Sequence, residues 1–476
     1  MKAEHILALF NQIEKDFEVD QWTIDGIHVW PLIRLDMMMG LHFEESEKLQ
    51  IKITLLFKIR QAFGMIFGYV RYIFQSLRDM KNNAKIHPVD AVILGDGIAR
   101  VFLNGKWHDR FCDPLVHDLS LKNKTSLVLE PLHNYIVPRY SPSIFIQHLL
   151  DFSLLKNFIF KKKHFKHIEL KDFQKFVEYI QLKKLRIPLP DENRLKIIVL
   201  TVKSYAEHYK KILKLAKPSQ GFVVCYYGPR GLAFNLACHQ LGIPSVDIQH
   251  GVAGEYNPAY GQWNKVPPSG YEVLPSIFWC WTKEDALAIR RWNKNVTESH
   301  RAVLSGNMFA DFWKNASIMD KKIDNNSFQS LTKKKEDIHI LVTLSSVENH
   351  NNLLLSKIIE VMKHSDARWK WWIRLHPCLL YKKKEVKKTL QEARIQNFEI
   401  DQATDLPLYL ILPHMDIHIT YVSATVVEAC MFGVRSIVTG EDAVRYFSAQ
   451  ISSGWAVYSE TPDKITQAIK RLSSSC

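Results

Sequence analysis

Three places in this 476-residue chain set ionisable or hydroxyl side chains directly after an apolar run, where a buried strand would hand them to a ligand. The first is PSVDIQHG (244–251), which ends in Gln249 and His250 and runs into a polar loop carrying Glu255, Tyr256 and Tyr260. An imidazole there can take a proton from an attacking hydroxyl near neutral pH. Its plainer reading is a satisfied histidine at a strand-end turn. The second is Arg374-Leu-His376-Pro377, closing WKWWIRLHP. Alternation sets Arg374 and His376 on one face of an extended segment, and Pro377 stops the strand. Two cationic or donor side chains aimed the same way suit a phosphate. The third is DIHITYVSATVVEACMFG (416–433), where Ser423 and Thr425 can cap the helix that follows. Hydroxyls and backbone N–H groups at a helix start form an anion site. Glu428, about one turn in, could accept from ribose hydroxyls; its plainer reading is an ordinary first-turn acid. The second and third features together suggest one nucleotide phosphate or diphosphate held between two adjacent strand ends.

Two further stretches are weaker. TLSS (343–346) places Ser345 at the end of another apolar run, either touching phosphate or closing a local hydroxyl turn. YYGPRGLAFN (226–235) places Arg230 at a strand-to-helix turn, where it could assist an anionic acceptor or donor. It lacks the GxGxxG spacing, which argues against a dinucleotide site.

The elements that must position these residues alternate along the chain. AVILGDG (91–97), SLVLE (126–130), IIVL (197–200), FVVCYYG (222–228), PSVDIQH (244–250) and IFWCW (277–281) read as strands buried on both faces. Helical stretches such as GLAFNLACHQLG (231–242) lie between them, which implies βαβ units and a parallel sheet. A second set follows: IHILVTLSS (338–346), WKWWIRLHP (369–377), FEI (398–400), DIHITY (416–421) and RSIVTG (435–440). Residues 1–85 read as a helical segment, 86–295 as one Rossmann-like half with a basic helical insertion near 141–188, and 296–476 as a second half. In open parallel sheets ligands bind beyond the carboxyl ends of the strands, which is where the candidates fall.

Lys and Arg number 63 against 49 acids, a formal charge of +14, so an anionic partner is favoured. No nucleic-acid-binding module is recognisable, and the charge is spread along the chain, which argues against nucleic acid. Seven cysteines without a CxxC pair argue for reduced thiols, against a disulfide framework or zinc site. The stretch 53–78 is interrupted by Lys58, Arg60 and Arg71; it reads as a basic amphipathic helix on a membrane surface or as a buried structural helix.

SGNMFAD (305–311), IRLHP and TYVSATVVEACMFG resemble the donor half of GT-B glycosyltransferases that build bacterial capsules and other surface polysaccharides. The His-Pro and Ser-x-Thr pair resembles the nucleotide-binding motifs of bacterial sialyl-, polysialyl- and Kdo transferases, which use CMP-sugars. His-Gly in the first half with RLHP in the second also resembles the teichoic-acid glycerophosphotransferases, which use CDP-glycerol. The resemblance covers roughly residues 86–470. It implies that Arg374 and His376, with Pro377, meet the donor phosphate, Ser423 and Thr425 the nucleotide phosphate, and Glu428 the ribose. For the catalytic base it offers His250, by analogy with the glycerophosphotransferases, or Asp96 in Gly95-Asp96-Gly97, which departs from the sialyltransferase pattern of an acidic pair before Gly. No DxD motif sits at a strand end, so no metal or other cofactor is expected; helix dipoles and Arg or His can stabilise the leaving phosphate.

The expectation is therefore an α/β GT-B fold, two Rossmann-like doubly wound domains facing a cleft, with a mainly helical N-terminal segment. The expected activity is transfer of a sugar from a nucleotide-activated donor, CMP-sugar favoured, to a glycan or lipid-linked acceptor in capsule or O-antigen assembly. The expected location is cytoplasmic, peripheral at the anionic inner face of the cell membrane. The rivals are a polyol-phosphate transferase or nucleotide-sugar epimerase on the same fold, and a non-catalytic scaffold for polysaccharide assembly.

Overall fold

The apolar runs of the sequence become two separate parallel sheets. The computed structural model describes residues 3–43, 86–97, 100–103, 105–131, 138–160, 165–185, 187–294, 299–314 and 336–474. The stretch 53–78 lies outside the described residues. Among the described residues no helix is long and apolar enough to cross a membrane. The chain divides into unit 1, residues 1–309, and unit 2, residues 310–476.

Unit 1 holds β1 (Thr23–Ile24), β2 (Ile27–His28), β3 (Ala91–Leu94), β4 (Arg100–Leu103), β5 (Lys106–Asp109) and β6 (Ser126–Glu130). It continues with β7 (Ser143–Phe145), β8 (Ile168–Glu169), β9 (Gln220–Val224), β10 (Ser245–Ile248), β11 (Ile277–Cys280) and β12 (Arg301–Leu304). The main sheet has the order β12-β11-β10-β9-β3-β6-β7, and every pairing in it is parallel. Counted within the sheet this is 3-2-1-4-5-6 with one strand added, the Rossmann winding. Its switch point, where the chain turns back to the other side of the first strand, lies between β3 and β9. All four residues of β3 and of β10 are buried, as strands covered on both faces must be.

Unit 2 holds β13 (Ile338–Thr343), β14 (Trp369–Arg374), β15 (Phe398–Glu399), β16 (Ile417–Thr420), β17 (Arg435–Val438) and β18 (Ala456–Tyr458). They form one parallel sheet in the order β15-β14-β13-β16-β17-β18, again 3-2-1-4-5-6, with the switch between β13 and β16. The chain thus has the two Rossmann-like α/β units of the GT-B fold class.

One apolar run adopts a different structure from the strand its residues predict. IIVL (197–200) is not a strand but part of the helix Glu192–Ala216. Asp191 caps that helix by accepting from Arg194 N at 2.8 Å. Leu195, Val199, Val202, Ala206, Tyr209 and Leu213 then fall on one buried face at helical spacing. A long amphipathic face overrides the β preference of a short branched run.

The N-terminal helices belong to the core of unit 1. Phe10, Trp22 and Trp30 pack with Phe173 and Phe176; Trp22 lies 5.2 and 5.1 Å from the latter two rings. Arg34 is fully buried between these helices and residues 258–263. Its Nη1 pairs with Glu14 Oε1 at 2.5 Å, and the guanidinium lies 4.2 Å from the Trp263 ring centre. It donates to the carbonyls of Pro258 at 3.2 Å, Gly261 at 2.8 Å and Gln262 at 3.1 Å. Glu14 Oε2 accepts in turn from Asn264 N at 2.7 Å.

A buried histidine makes unit 1 sensitive to acid. His300 lies between Pro275 O at 2.7 Å from Nδ1 and Tyr271 N, which donates to Nε2 at 2.8 Å. Burial lowers its pKa to about 4 from an ordinary value near 6.5. The unfolded chain therefore binds the proton first, so this contribution is complete above about pH 6.5 and is lost as pH falls toward 4. Urea denaturation at pH 7.5 and 5 should show the slope of stability with pH reduced by about 1 kcal/mol per unit in His300→Gln.

Candidate functional site

In unit 1 the chemistry gathers at the carboxyl ends of β3, β9 and β10, which are consecutive in the sheet. Asp96 follows β3, and its charge acts on the buried Asp109 and Cys225. Cys225 follows β9 with φ of 63°, a left-handed backbone that costs an L-residue about 1–3 kcal/mol and collects at functional turns. Burial, with Asp96 and Asp247 adding, pushes its thiol up to about 12, so it is no thiolate. The helix Pro229–Gln240 starts hard against this turn. A Cβ on Gly231 would stand 2.6 Å from Tyr226 Cα and 2.7 Å from Cys225 O, so only glycine fits.

His250 follows β10, and its Nε2 lies 2.9 Å from the Tyr227 hydroxyl. The rings of Tyr227 and Phe111 flank it at 5.5 and 6.2 Å between centres. Burial lowers its pKa to about 4, so the neutral, proton-accepting imidazole prevails at pH 7. Beneath it Asp247 is buried, accepting from Tyr260 Oη at 2.9 Å and from Tyr226 N at 3.3 Å. Burial raises that carboxyl to about 7, with Tyr260 opposing.

The other unit 1 candidates are placed differently from expectation. Gln249 turns inward: its Nε2 donates to Gly251 O at 2.9 Å and Asp285 Oδ2 at 3.0 Å, and its Oε1 accepts from Trp281 N at 2.6 Å. It ties β10 to β11 and the helix Lys283–Trp292 rather than lining an acceptor site. Glu255 pairs with Arg291, and Tyr256 is half-buried in the same loop. Arg230, second in its helix, acts electrostatically on Tyr205 and Tyr209 of the helix Glu192–Ala216.

In unit 2 the candidates also sit at carboxyl ends, but β14 and β16 are not neighbours; β13 runs between them. With strands about 4.8 Å apart, the ends of β14 and β16 stand on the order of 10 Å apart, with β13 and the Ser345 turn between them. Arg374 Nη1 donates to Ala403 O and Leu406 O, both at 2.6 Å, so it fastens the chain after β15. His376 Nδ1 accepts from Cys378 N at 3.2 Å and caps the turn that begins at Pro377. That bond puts the imidazole proton on Nε2, which becomes a donor. Ser345 closes the local turn: its Oγ accepts from Val347 N at 3.2 Å, and its N donates to Asn351 Oδ1 at 2.7 Å. The third feature starts a helix at Thr425, not after it; Ser423 Oγ accepts from Thr425 N at 3.3 Å. Glu428 is buried, and its Oε1 accepts from Tyr409 Oη at 2.5 Å.

Two further residues at these strand ends lie inside the sequence motifs above, which assign them no role. Tyr227 lies inside the run FVVCYYG (222–228), three residues beyond the observed end of β9; a phenol at the polar end of an apolar run was the available signal. Tyr421, just past β16, stacks on His350 at 4.5 Å. Beside these strand ends a cavity of about 230 Å³ is lined by Leu344, Leu355, Leu375, Leu379 and Val386, with Glu348 and Lys382 among its polar residues. Among the described residues no group of three or more His, Cys, Asp or Glu could hold a metal ion.

No protein-family model matches the sequence, and no curated protein does. Solved structures similar to the chain include UDP-GlcNAc 2-epimerase from Neisseria meningitidis bound to UDP-GlcNAc, at 15% identity and TM-score 0.49 over 81% of this chain and 91% of that one. Another is the Methanocaldococcus jannaschii UDP-GlcNAc 2-epimerase in complex with UDP-GlcNAc and UDP, at 14% identity and TM-score 0.47 over 80% and 92%. A third is MurG from Acinetobacter baumannii, at 12% identity and TM-score 0.41 over 81% and 90%.

Proposed function

We propose that the chain is a glycosyltransferase in which unit 2 binds a nucleotide-activated sugar, a CMP-sugar by preference, and unit 1 binds a glycan or lipid-linked acceptor in surface-polysaccharide assembly. The observation that carries the reading is the placement of polar groups beyond the strand ends at each Rossmann switch point and one strand to its side. In unit 2 the His376 Nε2–H and the Ser423 and Thr425 hydroxyls would provide donors for phosphate without a metal. The 230 Å³ cavity lies below the ~300–1,000 Å³ of pockets that enclose whole ligands, and suits a single ring. In unit 1 His250 supplies the base, with Asp96, two strands away beyond β9, in reserve. The basic surface favours anionic lipid, where such acceptors are displayed.

Calorimetry tests the donor. CMP should bind the wild type more tightly than UDP or GDP, and His376→Ala should weaken it at least tenfold, the loss of one charge-assisted bond. A melting scan of the variant separates this loss from any effect of the missing Cys378 cap. Failure to bind any nucleotide, or binding indifferent to His376, sinks the proposal.

A further inference from the structure

Both nitrogens of His250 are closed to a substrate. Nε2 is covered by the Tyr227 hydroxyl at 2.9 Å. Nδ1 is buried, acted on by the Ile248 carbonyl in a geometry short of a hydrogen bond. A carbonyl on that side favours the Nδ1–H tautomer, which leaves the Nε2 lone pair to accept from the phenol. The Tyr227 ring is half-buried, whereas its neighbour Tyr226 and the facing Tyr260 are buried, so Tyr227 is the outermost phenol of this aromatic group. It lies three residues beyond β9, whose sheet neighbours β3 and β10 lead to Asp96 and His250.

We propose that Tyr227 is the catalytic residue that meets the acceptor hydroxyl, and that His250 acts through it. The step rests on the transferase reading above. As the acceptor oxygen attacks, its proton moves to Tyr227 Oη while the phenolic proton moves to His250 Nε2. The electron pair of the broken O–H bond forms the new bond to the anomeric carbon. The pair of the breaking carbon–oxygen bond leaves with the nucleotide phosphate. Tyr227 ends the step as it began, a neutral phenol, and the imidazolium returns its proton to water by the same path. A phenol is suited to this because it is donor and acceptor at once and never needs to ionise. Burial that holds the Tyr227 pKa well above its ordinary value enforces that neutrality.

Two measurements on the full chain test the relay. The first needs no substrate: carbethoxylation by diethyl pyrocarbonate at pH 7, read on the His250 peptide by mass spectrometry. Tyr227→Phe keeps the ring and removes only the hydroxyl, so it should expose Nε2 and speed modification at least tenfold. Equal rates overturn the cover. The second is release of CMP from CMP-N-acetylneuraminic acid in mixtures of H₂O and D₂O. The wild type should show a curved dependence from two protons in flight, and Tyr227→Phe a linear one with the rate down about 100-fold. A linear dependence in the wild type overturns the relay. Absence of turnover and of nucleotide binding overturns the transferase reading instead, and the labelling result then stands apart as evidence on the Tyr227–His250 contact.

Discussion

Arg34→Ala should destabilise unit 1 by about 3–5 kcal/mol, seen as a shift of its urea transition to lower midpoint with little change in slope. The magnitude follows from what is left behind. Glu14 would stay fully buried with its main counter-charge gone, and the Pro258, Gly261 and Gln262 carbonyls would each lose a donor. The Trp263 ring would lose the guanidinium on its face. Removing both charges together is a milder change than removing one, so Glu14→Gln with Arg34→Met should recover part of the loss. A single-variant loss under 1 kcal/mol would mean that the pair is not closed to water. The effect should reach the candidate site, because the loop that Arg34 fastens also supplies Tyr260 to Asp247 and Ala259 O to the Tyr226 hydroxyl.

If the chain is the proposed transferase with His250 as base, His250→Ala should cut sugar transfer by about 10²–10⁴-fold, the usual worth of a positioned general base. Nucleotide affinity, which the proposal assigns to unit 2, should stay within twofold. In the wild type the rate should hold as pH is lowered to 5. The base must be deprotonated, and burial places its pKa at about 4, so the acid limb lies there and not near the ordinary 6.5. An acid limb at 6.5, or an active alanine variant, removes His250 from the chemistry.

Much of the architecture was legible because strands buried on two faces write themselves as short apolar runs, and β6, β9, β10, β13, β14, β16 and β17 did so. Their order was not. Nothing in WKWWIRLHP or DIHITYVS says that β13 separates them, since strand neighbours are set by crossover topology and not by local pattern. β7, β12 and β18 escaped notice because strands of three or four residues at or near a sheet edge carry little hydrophobic signal. The site was legible to the level of strand ends: His250, His376 and Ser423 each follow a strand, although the strands before His376 and Ser423 are not adjacent as expected. What side chains do there was not. Arg374, Gln249 and Ser345 serve backbone groups, because carbonyls and N–H groups at strand ends need partners as much as a ligand does.

The clasp formed by Glu14 and Arg34 also sets a timetable. Its partners at 258–264 are made some 250 residues after Glu14. β3 likewise waits for β9, with Ala91 pairing to Gln220. As the chain leaves the ribosome, the apolar faces around Phe10, Trp22 and Trp30 have no native cover until most of unit 1 exists. Closing so long a loop is slow, and an uncovered aromatic face is prone to aggregate meanwhile. The yield of folded protein should therefore depend on how the nascent N-terminal helices are sheltered, by slow synthesis, low temperature or a chaperone, more than on the final stability of the unit.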